Sequence, residues 1–395
     1  MTDVTRQTRP AAGGFLTNRA VRAVVYQVVL IATVCLIGWW LVDNTLTNLA
    51  QQNIASGFGF LTDRQAGFAI SESVIDYDES DSYLRAFVVG LLNTIKLALV
   101  GIALATILGT VIGVARLSHN WMIRKIASAY VETVRNIPLL LQLIFWFTIL
   151  GEVLPHPREA MNLLDAVFVS NRGIFTPAPV DALGWWLLVL GLALSVPAVS
   201  YFRRVAQEHQ DRTGEAWHVG WISLGIVVGL AALGWLIGGA PTEFSVPELK
   251  GFNFQGGMWI SPEFLAMLLG LTLYTAGFIA EIVRSGILAI SHGQTEAAMA
   301  LGLNRGRTLR LIILPQAMRV IIPPMTSQYL NLTKNSSLAI AIGYFDLVSA
   351  MNTSLNQTGQ AIECIAIAMS VYLAISLSIS FFMNWYNARV ALKER

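Results

Sequence analysis

Eight stretches of mainly apolar residues, spread over the whole chain, constrain this sequence more than any other feature. They lie near 23–42, 87–115, 127–150, 183–202, 217–238, 263–284, 314–342 and 362–386. A helix rising about 1.5 Å per residue needs about 20 apolar residues to cross a hydrocarbon core about 30 Å thick. Inside that core no water is available to backbone N–H and C=O groups, so such stretches take the helical form that satisfies them internally. Composition agrees: 13% of residues are charged and mean hydropathy is +0.59, whereas a soluble chain carries about 25% charged residues. The sequence predicts an all-α membrane protein with about eight transmembrane helices.

Arg6, Arg9, Arg19 and Arg22 precede the first apolar run. That run is long for a secretory leader and ends in Gly38-Trp39-Trp40 without a small-residue cleavage pattern, so it reads as a retained span with an interfacial tryptophan pair. Basic residues stay on the cytoplasmic side of a membrane. With the N-terminus inside, only Arg64, Arg85, Arg158, Arg172 and Lys250 of the 26 basic residues fall on outer segments. Both termini are therefore expected in the cytoplasm. The first outer loop carries Asp63, Glu72, Asp76, Asp78, Glu79 and Asp81 and is long enough for a small structured cap.

One cytoplasmic segment, Ser291 to Thr308, is neither lipid-like nor a random polar loop. Gln294 or Thr295 can cap a short helix, Glu296 suits its positive end, and Gly302 can terminate it. Ala297, Ala298 and Ala300 leave that helix slim enough to enter a groove on another protein. Arg305, Arg307 and Arg310 add basic contacts, although the inward bias of positive charge would place them there in any case.

The same segment resembles the cytoplasmic signature of permeases of binding-protein-dependent ABC importers: Glu-Ala-Ala, three residues, Gly, nine residues, Ile, one residue, Leu-Pro. Glu296-Ala297-Ala298, Gly302, Ile312, Leu314 and Pro315 keep every spacing. The resemblance implies that Glu296, Ala297, Ala298, Gly302, Arg305 and Arg307 couple the chain to an ATPase, the short helix passing the closure of that subunit to the membrane helices. None of the five lysines follows a glycine, so the Gly-Lys-Ser/Thr phosphate loop is absent. ATP and its Mg²⁺ are then expected on a separate pair of ATP-binding subunits, with no cofactor on this chain.

Further stretches resemble the polar amino-acid branch of that family. They are Gly90-Leu91-Leu92-Asn93-Thr94-Ile95-Lys96, Tyr130-Val131-Glu132-Thr133-Val134-Arg135-Asn136-Ile137-Pro138-Leu139, and Lys334-Asn335-Ser336-Ser337-Leu338. In the second, Asn136-Ile137 replaces the usual Gly-Thr; in the third, Asn335-Ser336 stands for the usual Asp-Thr. The likeness covers spans two, three, six, seven and eight, implying a five-helix type I importer core with a helix pair inserted. It divides the chain into a tail 1–22, a first span 23–42, a periplasmic loop 43–86, a first core part 87–150, an insertion 151–262, a second core part 263–388 with coupling loop 291–312, and a tail 389–395. Longer permeases of this kind resemble one subunit of general L-amino-acid or glutamate/glutamine/aspartate/asparagine systems. That implies a second, different permease, a periplasmic amino-acid-binding protein and a bacterial inner-membrane location, with no nucleic-acid partner.

An ionisable side chain in a helix core costs about 2.5–3.5 kcal/mol on insertion scales, so Lys96, Glu281 and Lys334 should face protein or water. Lys334 lies beyond Pro323-Pro324, which are expected to bend or unwind span seven. Lys334, Asn335, Ser336, Ser337, Glu281, Asn93 and Thr94 are the candidate lining of a substrate path. The competing reading is a Lys334–Glu281 pair that only fixes packing, with Lys96 snorkelling and Asn93 and Thr94 bonding helix to helix. Gly-x-x-x-Gly spacings at 109/113, 225/229 and 234/238 indicate close helix contacts.

The five histidines show no His-Glu-x-x-His pattern, and Cys35 and Cys364 sit in apolar runs, so no metal site or intramembrane enzyme is indicated. An ion-coupled secondary transporter would account for the spans and buried charges but leaves the coupling signature without a use.

Overall fold

The computed structural model describes residues 19–51, 56–163 and 165–390, so most of the expected tails 1–22 and 389–395 lies outside the described residues. Among the described residues six helices are long and apolar enough to cross a membrane, and two bent pairs bring the number to eight if each pair is one span. All eight expected apolar stretches are largely helical.

Helix α1 (Arg19–Gln51) leads to a loop containing a single turn, α2 (Phe60–Asp63), and closed by a bridge between Gln65 and Ser82. Ser82 then caps α3 (Tyr83–Ala115), its side chain accepting from Arg85 N–H. Asn120 caps α4 (Trp121–Asn136) in the same way through Met122 and Ile123, and α5 (Leu139–Glu152) follows Pro138. The apolar run 127–150, expected as one span, is thus two helices meeting at 105°. Pro138 offers no N–H and pushes the preceding Ile137 out of the helical region, to φ −95°, ψ 129°. Gln142 Nε2 donates to the Val134 and Ile137 carbonyls, each at 2.9 Å, so the break leaves those groups satisfied.

Between α5 and the helix that starts at Pro262 lies a helical hairpin flanked by short strands. Before it run β1 (Met161–Leu163), β2 (Val167–Ser170), β3 (Gly173–Thr176) and β4 (Ala178–Pro179). The hairpin is α6 (Leu183–Thr213) and α7 (Val219–Ile237). After it come β5 (Phe244–Ser245), β6 (Glu248–Lys250), β7 (Asn253–Gln255) and β8 (Met258–Ile260). An antiparallel sheet in the order β1-β2-β3-β8 joins the two flanks, with Phe175 opposite Trp259. Phe254 packs against Phe168 and Phe175, at ring separations of 4.6 and 5.0 Å, giving the sheet its own small apolar core.

The helical core is organised around α8 (Pro262–Leu288), which packs against α3, α4, α5 and α11 (Leu314–Asn335). A methyl added at Gly109 of α3 would lie 2.7 Å from Ile279 Cβ, and one at Gly113 2.7 Å from the Ala280 carbonyl. Those two glycines therefore set how closely α3 and α8 approach. Gly234 plays the same part against Leu187 in the hairpin, but Gly225 and Gly229 have nothing within 4 Å, so that spacing marks no contact.

After α8 come α9 (His292–Ala300), α10 (Arg305–Thr308), a π turn (Leu309–Ile313) and α11 (Leu314–Asn335). α11 stays helical through Pro323 and Pro324, so the prolines do not unwind it. Inside a membrane helix the few backbone groups that proline frees are tolerated where neighbouring helices cover them. The helix instead tightens to a 3₁₀ segment at Ser336–Ile342 and turns 50° into α12 (Leu347–Thr358), before α13 (Ala361–Val390).

Candidate functional site

The residues singled out above fall around α9, around Glu281, and around the segment from Lys334 to the corner before α12. At one end is α9. Ser291 occupies its N-cap position, so Gln294 and Thr295 lie within the helix rather than capping it. Glu296 is exposed and meets His292 Nδ1 at 3.0 Å one turn earlier. Ala297 is exposed, whereas Ala298 is buried. Gly302 adopts φ +75°, its N–H donates to the Met299 carbonyl at 2.9 Å, and Leu303 N–H donates to the Ala298 carbonyl at 3.1 Å. This is the left-handed helix ending that glycine permits. Asn304 Oδ1 accepts from Arg307 N–H at 2.9 Å to start α10, leaving Arg305 and Arg307 exposed.

The loop is therefore built by its own sequence. It presents an apolar tip that the charge-based reading passed over: Leu301 is 80% and Met299 45% exposed. Gln316 of α11 reaches Gln294 at 3.4 Å, tying α9 to the helix that follows it.

Near that end, Glu281 accepts from Arg284 Nη2 at 2.6 Å and pairs with Arg116, the residue following α3. Glu281 does not pair with Lys334. Arg116 stands beside it because α3 and α8 pack along their length, while Lys334 lies at the opposite end of α11.

Lys334 is exposed and shares a hollow of about 430 Å³ with Ser337, Val348, Met351, Ala368 and Tyr372. Ser337 Oγ donates to the Lys334 carbonyl at 2.8 Å. Asn335 is half-buried, and Ser336 is buried with its hydroxyl on the Thr333 carbonyl at 2.7 Å. The 3₁₀ segment after Asn335 contacts α5.

Asn93 and Thr94 are fully buried. Asn93 Nδ2 donates to the Phe345 carbonyl at 2.8 Å and to the Glu72 carbonyl at 2.9 Å. Thr94 Oγ1 accepts from Leu347 N–H at 3.1 Å and donates to the Gly90 carbonyl at 2.9 Å. These two side chains hold the corner before α12 against α3. Lys96, rather than snorkelling, pairs with Glu72 and lies 4.4 Å from the centre of the Phe264 ring. Glu72 stood in the sequence as one acid among six in an outer loop, with nothing to set it apart. In that loop Tyr77 donates to the Phe68 carbonyl at 3.0 Å, and burial pushes its phenol up to about 12, so it stays a donor at neutral pH. Asp78 is held below the usual carboxylate range by the Ser80 N–H it accepts.

The geometry is that of a multi-pass helical core that hangs a short, glycine-terminated helix between two spans. The family described as "Binding-protein-dependent transport system inner membrane component" matches residues 216–392. The general L-amino acid transport system permease protein AapQ of Rhizobium johnstonii is 48% identical over 95% of this chain and 93% of its own. A putative amino-acid ABC transporter permease, YhdX of Escherichia coli, is 49% identical over 96% of both chains. The glutamate/glutamine/aspartate/asparagine transport system permease BztB of Rhodobacter capsulatus is 44% identical over 95% of both. The chain belongs to this family of inner-membrane permease subunits of ABC importers. It is a non-enzymatic, multi-pass component of the bacterial inner membrane that works with an ATPase and a binding protein, and the ion-coupled alternative is set aside.

Proposed function

We propose that the chain is the longer of two different permeases in an importer of polar L-amino acids, either the glutamate, glutamine, aspartate and asparagine group or a broader set. The observation that carries this reading is α9: an exposed helix with Glu296, Ala297 and Ala298 in its body and a left-handed Gly302 at its end. The names of full-length relatives at 44–49% identity support the substrate class. In this reading Glu296, Ala297, Gly302, Arg305 and Arg307 seat in a cleft of the partner ATPase, which holds ATP and Mg²⁺, while the buried Ala298 packs the helix against its own chain. ATP favours one arrangement of the ATPase pair, and the seated helix passes that preference to the bundle as a rigid-body shift.

The route for the solute runs by the Lys334 and Ser337 hollow, where an ammonium group and a hydroxyl suit the carboxylate of an amino acid. Asn335 and Ser336 shape that segment, Asn93 and Thr94 hold its outer corner, and Glu281 steadies its inner end. Both termini and α9 lie in the cytoplasm, and residues 151–262 form an insertion in a core made by 87–150 and 263–388.

Uptake of radiolabelled glutamate, glutamine and a neutral amino acid, in cells carrying the native chain or Gly302→Val at equal membrane level, tests the reading. Uptake that collapses in the variant upholds it. Full uptake without a competent loop sinks it.

A further inference from the structure

Glu72 lies in a loop without helical or strand pattern, yet only 8% of it is exposed. Its carboxylate makes two contacts at once. Oε1 pairs with Lys96 Nζ on α3, and Oε2 accepts from the Ser261 hydroxyl and, at 3.4 Å, from the Ser261 N–H. Its main-chain oxygen accepts from Asn93, which also holds the Phe345 carbonyl. Ser261 in turn caps α8 by accepting from Phe264 N–H at 3.0 Å, and it directly follows β8. One loop carboxylate thus joins the outer loop, α3, the end of the inserted segment and the start of α8.

The same two helices are stapled again at their inner end by Glu281 and Arg116. α8 is one unbroken helix of 27 residues, about 40 Å long at about 1.5 Å per residue, and the two staples grip it at its Ser261 cap and at Glu281. It ends at Leu288, and α9 begins at His292. The outer staple and the helix read above as the ATPase contact are therefore the two ends of one rod. A buried ion pair adds little stability over an apolar contact of the same shape, and breaking it is costly. What it does provide is a contact that holds several segments as one body, as packed elements move in discrete shifts rather than by continuous bending.

We propose that Glu72 is a positioning residue for transport. It fastens the outer loop and the end of the inserted segment to the α3–α8 pair, so that docking of the binding protein on the outer face reaches α9 as a movement of that pair. This inference rests on the reading of α9 as the ATPase contact.

The test uses the assembled transporter in liposomes, with ATP hydrolysis measured without and with saturating, solute-loaded binding protein. Glu72→Gln keeps an acceptor for Ser261 but removes the charge facing Lys96. Stimulation by the binding protein is expected to fall about fivefold or more, the low end of what a coupling free energy between two sites delivers. Unstimulated hydrolysis and the yield of assembled transporter should stay at the native level. The double variant Glu72→Gln/Lys96→Met removes the stranded cation as well, and its stimulation is expected to stay low. Native stimulation in Glu72→Gln, or full recovery in the double variant, overturns the proposal, the second by showing that the carboxylate only neutralises Lys96. Failure of both variants to assemble overturns it too, since the contact is then structural. A native transporter that hydrolyses ATP without responding to its binding protein overturns the coupling reading of α9 first, and this inference with it.

Discussion

The Arg116 guanidinium, just past the end of α3, meets the Glu281 carboxylate of α8, 165 positions away in the chain. Arg284, one turn from Glu281, completes the cluster from the same helix. Only 12% of the Arg116 side chain and 27% of the Glu281 side chain remain exposed, so both charges are mostly withdrawn from water. Replacing Glu281 by Gln leaves Arg116 without its counter-charge and is expected to cost about 2 kcal/mol, the scale of a hydrogen bond to a charged group. The thermal midpoint of the purified protein reads this directly, and an unchanged midpoint in both Glu281→Gln and Arg116→Met would show that the pair contributes nothing.

Gly109→Ala should separate α3 from α8. Its new methyl would sit 2.7 Å from Ile279 Cβ and 2.9 Å from the Ala276 carbonyl, neither of which can move alone. Overpacking of this kind costs about 1–3 kcal/mol. Gly225→Ala and Gly229→Ala, where nothing lies within 4 Å, serve as controls and should leave the yield of folded protein in mild detergent unchanged. Equal yields for all three variants would mean that α3 and α8 do not approach as described.

At Gly302 the constraint is conformational rather than steric, because φ is +75° and nothing lies within 4 Å of a built Cβ. A left-handed residue costs about 1–2 kcal/mol unless it is Gly, with Asn the best tolerated of the others. Gly302→Asn should therefore retain much more ATP-dependent uptake than Gly302→Val at equal membrane level. If the two variants transport alike, the left-handed ending of α9 is not needed for coupling.

Asn93→Leu and Lys334→Met should fail in different ways. Losing Asn93 strands the Glu72 and Phe345 carbonyls in a fully buried site, at about 1–3 kcal/mol each. The thermal midpoint should fall and uptake should follow the amount of folded protein. Lys334 is exposed and belongs to no ion pair among the described residues, so Lys334→Met should lower uptake per molecule while leaving the midpoint in place. A midpoint that drops for Lys334→Met and holds for Asn93→Leu would reverse these roles.

What the sequence determined by itself is whatever depends on neighbouring residues. Apolar runs long enough to cross a bilayer had to become helices, and all eight stretches are largely helical. The spacing from Glu296 to Pro315 identified the loop, and Gly302 marked the end of its helix, because a left-handed turn is a property of one residue and the few around it. Which distant groups meet is set by how the helices pack. Proline behaved differently at two sites of similar appearance: Pro138 breaks the chain by 105° where Gln142 can take up the freed carbonyls, whereas Pro323 and Pro324 are absorbed within a continuous helix. The strands flanking the inserted hairpin became a sheet only because β3 and β8 were brought together across α6 and α7. Glu281 found Arg116 rather than Lys334, and Glu72, one loop acid among six, became the buried partner of Lys96 and Ser261. Charge and hydropathy along a chain say which groups need a partner; the partner is chosen by the close approach of helices that the chain itself separates by tens to hundreds of residues.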